Sequence, residues 1–505
     1  MSMFRSFSVY NYRVWFIGAL VSNIGQWMQA TALSWVVLTV LTDNDAGAMG
    51  ITMALQFGPP LLLVGVTGWV ADRFDRRHLL MLTQAALMLL GATIGVLILL
   101  GAMSLPLMYG FAVVLGVIAA FDNPARQAFV SDLVARENAS NAIALNAASF
   151  NSARMIGPAV AGVVIVAVGT GWVFVFNALT FVGMIAALAI IRPAELVPRA
   201  KAQGAARLAD GFRYVARRSD LIVTFVIVFL IGAFGMNFPI YASTMAIEFG
   251  READGFGFLS SILAVGSLTG ALLAARRDRA RFRVILFGVG LFAVSAAAGA
   301  YMPAYWAYAI TLMFLGFAMV TMLTTANGYV QTTTEPALRG RVLALYMAVL
   351  MGGMPFGAPI VGAVVETFGP RVGILVGAGA GVVAFAIGAT WLLSSGRVHR
   401  HERRRFRLTI DETLPVTVVR ATPEEFSDQI AQTTPIPVAP DSRRTGRSGA
   451  AEQDAADRAA RRATTPLREP RRATAPSRDP RSGRPVNRPE QPPRRPARPG
   501  SPRPE

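Results

Sequence analysis

Long apolar runs alternate with short polar segments along most of the chain. Each run has about 20 residues or more, the length that an α-helix needs to cross about 30 Å of hydrocarbon. Twelve such runs are predicted as transmembrane spans. They cover residues 14–41, 46–70, 79–101, 105–124, 140–168, 171–192, 221–247, 255–275, 284–302, 304–330, 341–368 and 371–394. The pattern therefore predicts an all-α polytopic membrane protein.

The connections between the spans divide by arginine content. On one side "TDNDAGA", "GAMS", "GTG" and "MPAY" have no Lys or Arg, and the two other connections contribute only Arg251 and Arg371. The connections on the other side are rich in arginine, including a basic stretch from Arg192 to Arg218. Because positive charge is retained in the cytoplasm, we predict a bacterial plasma-membrane protein with both termini cytoplasmic.

A long central loop divides the twelve spans into six and six. The predicted parts are a first six-helix bundle, a central cytoplasmic loop, a second six-helix bundle and a basic, Pro/Arg-rich tail, over residues 1–192, 193–220, 221–395 and 396–505. The tail cannot bury enough apolar surface to offset its ordering entropy, so we predict a disordered cytoplasmic segment. Its first residues, 397–407, are expected to lie against anionic lipid headgroups. A topology anchor is one interpretation of the tail, and docking of a cytoplasmic partner is another.

The two halves also resemble each other in sequence. Residues 154–169 in span five are similar to residues 354–369 in span eleven, and this match pairs Pro158 with Pro359 at a separation of 201 residues. Two parallel six-helix repeats around a site near the membrane midplane are a known transporter architecture. The repeat therefore predicts a transporter fold.

Composition narrows the possible chemistry. The chain has no cysteine and three histidines, which excludes disulfides and thiolate metal sites and leaves no histidine cluster to predict a metal site. Its net charge of +18 is concentrated in loops and tail, the distribution of a membrane protein rather than of a nucleic-acid binder. A phosphate-binding Gly-x-x-x-x-Gly-Lys-[Ser/Thr] loop is absent from the sequence, so we expect no ATP-driven transport by this chain.

A dense group of charges interrupts the apolar pattern between spans two and three. Its members are Gly68, Asp72, Arg73, Asp75, Arg76 and Arg77. Gly68 permits close helix approach, and Asp72 could face the positive end of a neighbouring helix. The arginines could pair with carboxylates across the loop. The alternative is a charged turn that only sets topology.

This spacing resembles the loop signature of the major facilitator superfamily, Gly-x-x-x-Asp-Arg-x-Gly-Arg-Arg. Asp75 departs from it, because the signature has glycine there. The resemblance covers residues 1 to about 395. It implies that these residues form a cytoplasmic latch between the two halves, which stabilises an outward-facing state during alternating access.

A second resemblance concerns span five. Gly157-Pro158-x-x-Ala161-Gly162 is similar to a motif of drug/proton antiporters, although a plain packing kink is the alternative. Residues 11–28 and 121–158 look like the enterobactin-exporter-like branch of the superfamily. These features imply proton-coupled export of drug-like compounds or siderophore-type metabolites. Many such antiporters carry an arginine in span four, where this chain has Ala112, which leaves the coupling without its usual residue.

Polar side chains inside the spans are the remaining candidates for cargo binding or coupling, because burying them in a membrane is costly. They are Asn23, Gln26, Gln29, Asp122, Arg154, Asn237 and Asn327. Three interpretations of Arg154 stay open: it neutralises a substrate, it pairs with Asp122, or it reaches the membrane interface. The amides of span one share a helical face and either line a cavity or bond neighbouring helices.

The sequence as a whole predicts a secondary active exporter of amphipathic small molecules that needs no cofactor beyond a proton gradient and works as a monomer. An importer or facilitator of the same superfamily is one alternative. A membrane scaffold that acts through its tail is another. An enzyme is not expected, because no nucleophile–base pair, paired carboxylates or metal ligands converge in the spans.

Overall fold

A computed structural model describes residues 4–197, 208–277, 279–395, 398–400 and 408–410. The described chain is almost entirely helical. The helices of the first half are α1 (Tyr10–Trp35), α2 (Ala46–Leu62), α3 (Val64–Arg73), α4 (Arg76–Leu99), α5 (Leu105–Asp132), α6 (Arg136–Val168) and α7 (Thr170–Ile190).

The second half repeats this arrangement after a short helix in the central loop. Its helices are α8 (Leu208–Ala216), α9 (Ser219–Leu230), α10 (Phe238–Glu248), α11 (Ala253–Ala275), α12 (Phe282–Ala300), α13 (Tyr305–Thr333), α14 (Arg339–Phe368) and α15 (Pro370–Ser394). Single π-helical turns follow α1 at Val36–Val40 and α9 at Ile231–Gly235.

Ten helices in the described part of the chain are long and apolar enough to cross a membrane, with the stretch Ser219–Glu248 counted as one. Predicted spans one and two are also helical, but they are not among the ten. The amides of α1 lower its mean hydropathy, and α2 has only 17 residues. The polytopic all-α prediction is confirmed, whereas the full count of twelve membrane helices is not.

Two prolines explain why the second span is split. Pro59 and Pro60 both lie inside α2, where neither can donate a backbone hydrogen bond. The α-helical conformation is lost at Leu63, and α3 then starts at Val64. Both pieces lie within or next to the predicted span 46–70, so the split changes the shape of the span more than its extent.

Two segments that were predicted as loops contain helix. Helix α5 continues to Asp132, so Arg126 is buried within a helix and the prediction that placed it in a loop is wrong. Its charge is compensated four residues earlier by Asp122, which lets the helix continue. In the central loop, Asp210 of α8 accepts a hydrogen bond from Arg341 of α14 at 3.0 Å.

The region predicted as a disordered tail contains two short strands, β1 (Val398–Arg400) and β2 (Leu408–Ile410), which pair in antiparallel register. Residues 396–397, 401–407 and 411–505 lie outside the described residues, and with them most of the predicted lipid-facing stretch and tail.

The two halves meet along two helix pairs, α2 with α14 and α6 with α11. In each pair, glycines let the backbones touch. A Cβ atom at Gly50 would collide with the carbonyl oxygen of Ala358, and one at Gly257 with that of Pro158. The apolar core is continuous across these contacts.

A second set of contacts fixes the register of the repeat. A Cβ at Gly162 would meet the carbonyl oxygen of Ala253, and one at Gly362 would meet that of Ala46. Gly162 and Gly362 are 200 residues apart, so the Pro158–Pro359 match at 201 is displaced by one residue. The prolines do not occupy equivalent positions, because small residues rather than prolines make the equivalent contacts.

Exposure along α6 shows which end of the bundle is closed. Ile143, Phe150, Arg154 and Ala161 share one face by their helical spacing. Ile143 and Phe150 are 51% and 45% exposed, Arg154 is partly buried, and Ala161 is completely buried. The bundle is therefore open at the end that carries the arginine-rich connections, called here the arginine-rich end, and closed at the opposite, arginine-poor end.

Candidate functional site

The charged loop holds the start of α4 in place. Gly68 and Asp72 belong to α3, but the side chain of Asp72 lies outside the described part of the structure, and Arg73 is the exposed last residue of that helix. Asp75 is the N-cap of α4, where its carboxylate accepts a hydrogen bond from the backbone N–H of His78 at 3.0 Å. This capping role gives a physical reason for Asp75 where the superfamily signature has glycine.

The next two arginines bind within the first half. Arg76 donates to both carboxylate oxygens of Asp132, at the end of α5, at 2.9 Å. Arg77 donates to the backbone carbonyls of Leu188 and Ala189, near the end of α7, at 2.7 and 3.0 Å. Both arginines therefore tie α4 to neighbouring helices of their own half. A latch that reaches the second half stays a prediction.

The antiporter-like residues lie where α6 meets two other helices. Gly157 packs on the backbone of α1 beside Trp27, while Pro158 and Gly162 contact α11. Pro158 has no N–H to donate, so the carbonyl of Arg154, four residues earlier, lacks its helical donor. The motif thus joins close packing between the halves to a turn of α6 in which the carbonyl of Arg154 lacks its helical donor.

Asp122 is the centre of a buried polar network in the first half. Its side chain accepts hydrogen bonds from Thr83 Oγ1 at 2.7 Å, from Gln84 Nε2 at 2.7 Å and from Arg126 Nε at 3.0 Å. Asp122 is 3% exposed and Arg126 is 9% exposed. The carboxylate thus accepts three hydrogen bonds from protein groups, as a buried charge requires.

Arg126 has hydrogen-bond donors that this network does not use. Its Nη1 and Nη2 atoms are buried without a hydrogen-bond partner among the described residues. Unsatisfied buried donors are costly, so the guanidinium is held here by Asp122 and has capacity for another acceptor. Ala112, the position where many antiporters carry arginine, is buried about four helical turns from Arg126 on the same helix.

Arg154 is placed differently from the prediction that paired it with Asp122. Asp122 binds Arg126 instead, so that interpretation is wrong. The Arg154 guanidinium lies 5.6 Å from the centre of the Trp27 ring, and Trp27 in turn packs edge-on against Phe150. Within the described chain, Arg154 has no hydrogen bond or ion pair with another side chain.

The amides of α1 have separate roles. Gln29 Oε1 accepts a hydrogen bond from Asn177 of α7 at 2.6 Å, which supports the interpretation that it bonds a neighbouring helix. Gln26 Nε2 is buried without a partner among the described residues. Asn23 is buried on the same helix.

The two candidates in the second half do not gather into a site. Asn237 lies between the π-turn and α10, and its Nδ2 donates back to the carbonyl of Ala233. Asn327 is partly exposed on α13, where its Oδ1 accepts from Gln331 Nε2 at 2.6 Å. Both side chains therefore serve local structure, and the polar network of the first half has no counterpart among them.

Sequence reasoning did not identify Thr83, Gln84 and Arg126 as partners of Asp122. The i, i+4 spacing of Asp122 and Arg126 was a usable signal once the helix was known to continue. No signal in the sequence indicated the contacts from α4. Nowhere in the described ranges do three or more His, Asp or Glu side chains form a group that could hold a metal ion.

Relatives of this chain are known among bacterial transporters. The staphyloferrin A transporter of Staphylococcus aureus is 23% identical over 378 residues, which cover 71% of this chain and 90% of that protein. The multidrug efflux pump Tap of Mycolicibacterium fortuitum is 26% identical over 70% of this chain and 88% of its own length. The enterobactin exporter EntS of Salmonella typhimurium is 24% identical over 79% and 94%, respectively.

Solved structures support the fold. A D-xylose–proton symporter superimposes with a TM-score of 0.60 at 15% identity, covering 74% of this chain and 96% of the symporter. The nucleoside transporter NupG gives the same TM-score over 76% and 99% of the two chains, also at 15% identity. A family model described as a transmembrane secretion effector matches residues 1–407. The chain is therefore a multi-pass membrane transporter of the transmembrane secretion effector family, within the major facilitator superfamily.

Proposed function

We propose that this protein is a secondary active exporter of amphipathic small molecules and that it works by alternating access and proton antiport. The observation that carries the proposal is its similarity, over at least 84% of their lengths, to relatives named as an enterobactin exporter and a multidrug efflux pump. The opening at the arginine-rich end supports alternating access, in which the site is reached from one side of the membrane at a time.

The proposed coupling residue is Asp122. Its carboxylate is buried in the bundle and paired with an arginine on the same helix, so protonation would release Arg126 for another acceptor. A proton entering from outside could then exchange with cargo leaving the cell. We further propose a monomer in a bacterial plasma membrane, with both termini in the cytoplasm.

The test is a metabolite and drug comparison between cells and medium. Cells that express the wild-type protein, the Asp122→Asn variant or no transporter are compared side by side. A compound that is enriched outside only with wild type establishes export, and loss of that enrichment in Asp122→Asn supports coupling. Glu195→Gln is the matched control, because Glu195 forms an exposed ion pair with Arg192 that contributes little. Uphill export by Asp122→Asn at the wild-type rate contradicts this role.

The proposed latch is tested by a second variant in the same assay. Asp72→Asn is expected to slow turnover up to about 30-fold, since a carboxylate that faces the positive N-terminal end of a neighbouring helix contributes up to about 2 kcal/mol. Membrane insertion should be unaffected. Normal export by Asp72→Asn would show that this residue only belongs to a charged turn.

The alternatives give different results in the same cells. An importer would enrich a compound inside the cells, and only with wild type. A scaffold would show no transport, and deletion of residues 410–505 would change the location of a partner. Export that survives this deletion favours transport by the helical part alone.

A further inference from the structure

We infer that Arg154 and Trp27 form the cargo-binding point and that it selects a molecule that carries an anionic group next to an aromatic ring. This inference rests on the proposed transport function and names the substrate class that its site would accept.

Arg154 points toward the interior of the bundle. It shares a face of α6 with Phe150 and Ala161, whereas Val160 and Val163 on the opposite side are 36% and 64% exposed, as expected of residues that meet lipid. Arg154 also lies at the depth where this inner face changes from exposed to buried. It is therefore at the closed end of the opening from the arginine-rich side.

Arg154 lacks an anion. Three other buried or half-buried arginines in the described chain have one: Arg126 pairs with Asp122, Arg76 with Asp132, and Arg218 with Asp220. Arg77, which is also half-buried, donates instead to two backbone carbonyls. Arg154 has no ion pair or hydrogen bond among the described residues. A charge in a membrane span without a partner is costly, and an anionic cargo group would remove that cost.

The surroundings of Arg154 favour an aromatic neighbour for that anionic group. Its guanidinium lies over the Trp27 ring, and Phe150 packs edge-on against the same ring with 45% of its surface exposed. Aromatic faces bind flat apolar groups by stacking, while the planar guanidinium binds carboxylates or sulfonates through two parallel hydrogen bonds. A cationic drug would meet repulsion from Arg154.

The second half supplies a natural control. The residue equivalent to Arg154 in the register of the repeat is Met354, which is 6% exposed in α14. An uncharged side chain therefore satisfies the packing at this place. Packing does not require a charge at position 154, and a role in binding would explain why the residue there is arginine.

The test uses three pyrene probes that differ mainly in charge: pyrenebutyrate, its methyl ester and a pyrenyl quaternary ammonium. Binding to the purified full chain in nanodiscs is followed by fluorescence. Wild type is expected to bind pyrenebutyrate about 10–100-fold more tightly than the ester, the range for a hydrogen-bonded ion pair. Arg154→Met should reduce this preference to within about 2-fold, and Arg154→Lys should keep part of it.

Two controls separate binding from folding. Met354→Leu changes the equivalent residue of the other half and should leave the preference intact. The melting temperature of each variant shows whether it is folded, and Arg154→Lys tests the charge even if Arg154→Met does not fold.

The inference is tested by whether wild type binds pyrenebutyrate more tightly than the ester and the cation. Equal binding of the ester or tighter binding of the cation overturns it, as does a preference that survives in folded Arg154→Met. Neither result affects the export comparison, which does not depend on cargo charge. If the proposed transport function is wrong, the export comparison will instead show that wild type enriches no compound outside the cells.

Discussion

The interface of α2 with α14 and the interface of α6 with α11 are built on the same backbone contacts. Gly50 and Gly257 occupy equivalent places, each against a carbonyl oxygen of the other half. Gly162 and Gly362 form the second equivalent pair. The polar groups beside these contacts differ. Arg154 belongs to the α6–α11 side, and among the described residues only the α2–α14 side has a carboxylate, Glu366, that binds the opposing helix.

This difference separates what the repeat needs from what transport needs. Two helices that must close against each other require small residues at fixed places, and both interfaces keep them. Each polar group is present at one interface and absent from the other, so none of them is required for closure as such. The candidate residues for cargo binding and coupling, Arg154 and Asp122, both belong to the first half, so we expect function to depend mainly on that half.

The largest expected effect comes from breaking the shared contacts. Gly50→Val and Gly257→Val each place a branched side chain against a backbone carbonyl, and overpacking of this kind costs about 1–3 kcal/mol. We expect closure at the arginine-poor end to fall by about 5–150-fold in both variants. Because the chain has no cysteine, closure is measured by maleimide labelling of Ala161→Cys, which is completely buried.

The control for this pair is Gly110→Val, because a Cβ at Gly110 would meet no atom within 4 Å. Labelling of Ala161→Cys should stay slow in that background. If Gly50→Val leaves labelling unchanged while Gly257→Val accelerates it, the two interfaces are not equivalent.

The same contrast explains how much could be predicted from the sequence. The helices followed from the length of the apolar runs, and their bounds agree within several residues. The continuation of α5 to Asp132 was missed, because Arg126 lowers the local hydropathy although Asp122 compensates its charge. The interpretation that Asp122 pairs with Arg154 was also wrong, because Arg126, one turn away from Asp122 on the same helix, occupies its carboxylate.

The register of the repeat and the network around Asp122 needed the structure. Prolines looked like the repeated feature, but carbonyls facing glycines define the register, and a sequence does not show which carbonyl a glycine faces. Contacts from α4 to Asp122 depend on how two helices are rotated, which is set by packing across the whole bundle.

A smaller effect is expected from a side-chain hydrogen bond of the α6–α11 interface that has no counterpart between the described residues of α2 and α14. Ser261 of α11 donates to the carbonyl of Met155 at 2.8 Å across the halves. Removing such a bond costs about 0.5–1.5 kcal/mol, so Ser261→Ala should raise the labelling rate of Ala161→Cys about 2–12-fold. Ser260→Ala is the control, since Ser260 bonds only its own helix through the carbonyl of Phe256. If Ser261→Ala and Ser260→Ala raise the labelling rate equally, the increase reflects helix stability and not the contact between the halves.

The smallest effect is expected from the carboxylate that only the α2–α14 interface has. Glu366 Oε2 accepts a hydrogen bond at 2.9 Å from the backbone N–H of Ala46, the first residue of α2. A negative charge at a helix N-terminus contributes about 0.3–1 kcal/mol when it is exposed, as Glu366 is.

Glu366→Gln keeps the acceptor and removes the charge, so labelling of Ala358→Cys, buried at this interface, should rise only about 2–5-fold. High salt should reduce the difference between the variant and wild type, because an exposed charge is screened while a packing contact is not. A salt-independent difference would mean that Glu366 acts through packing, and the two interfaces would then differ in shape as well as in charge.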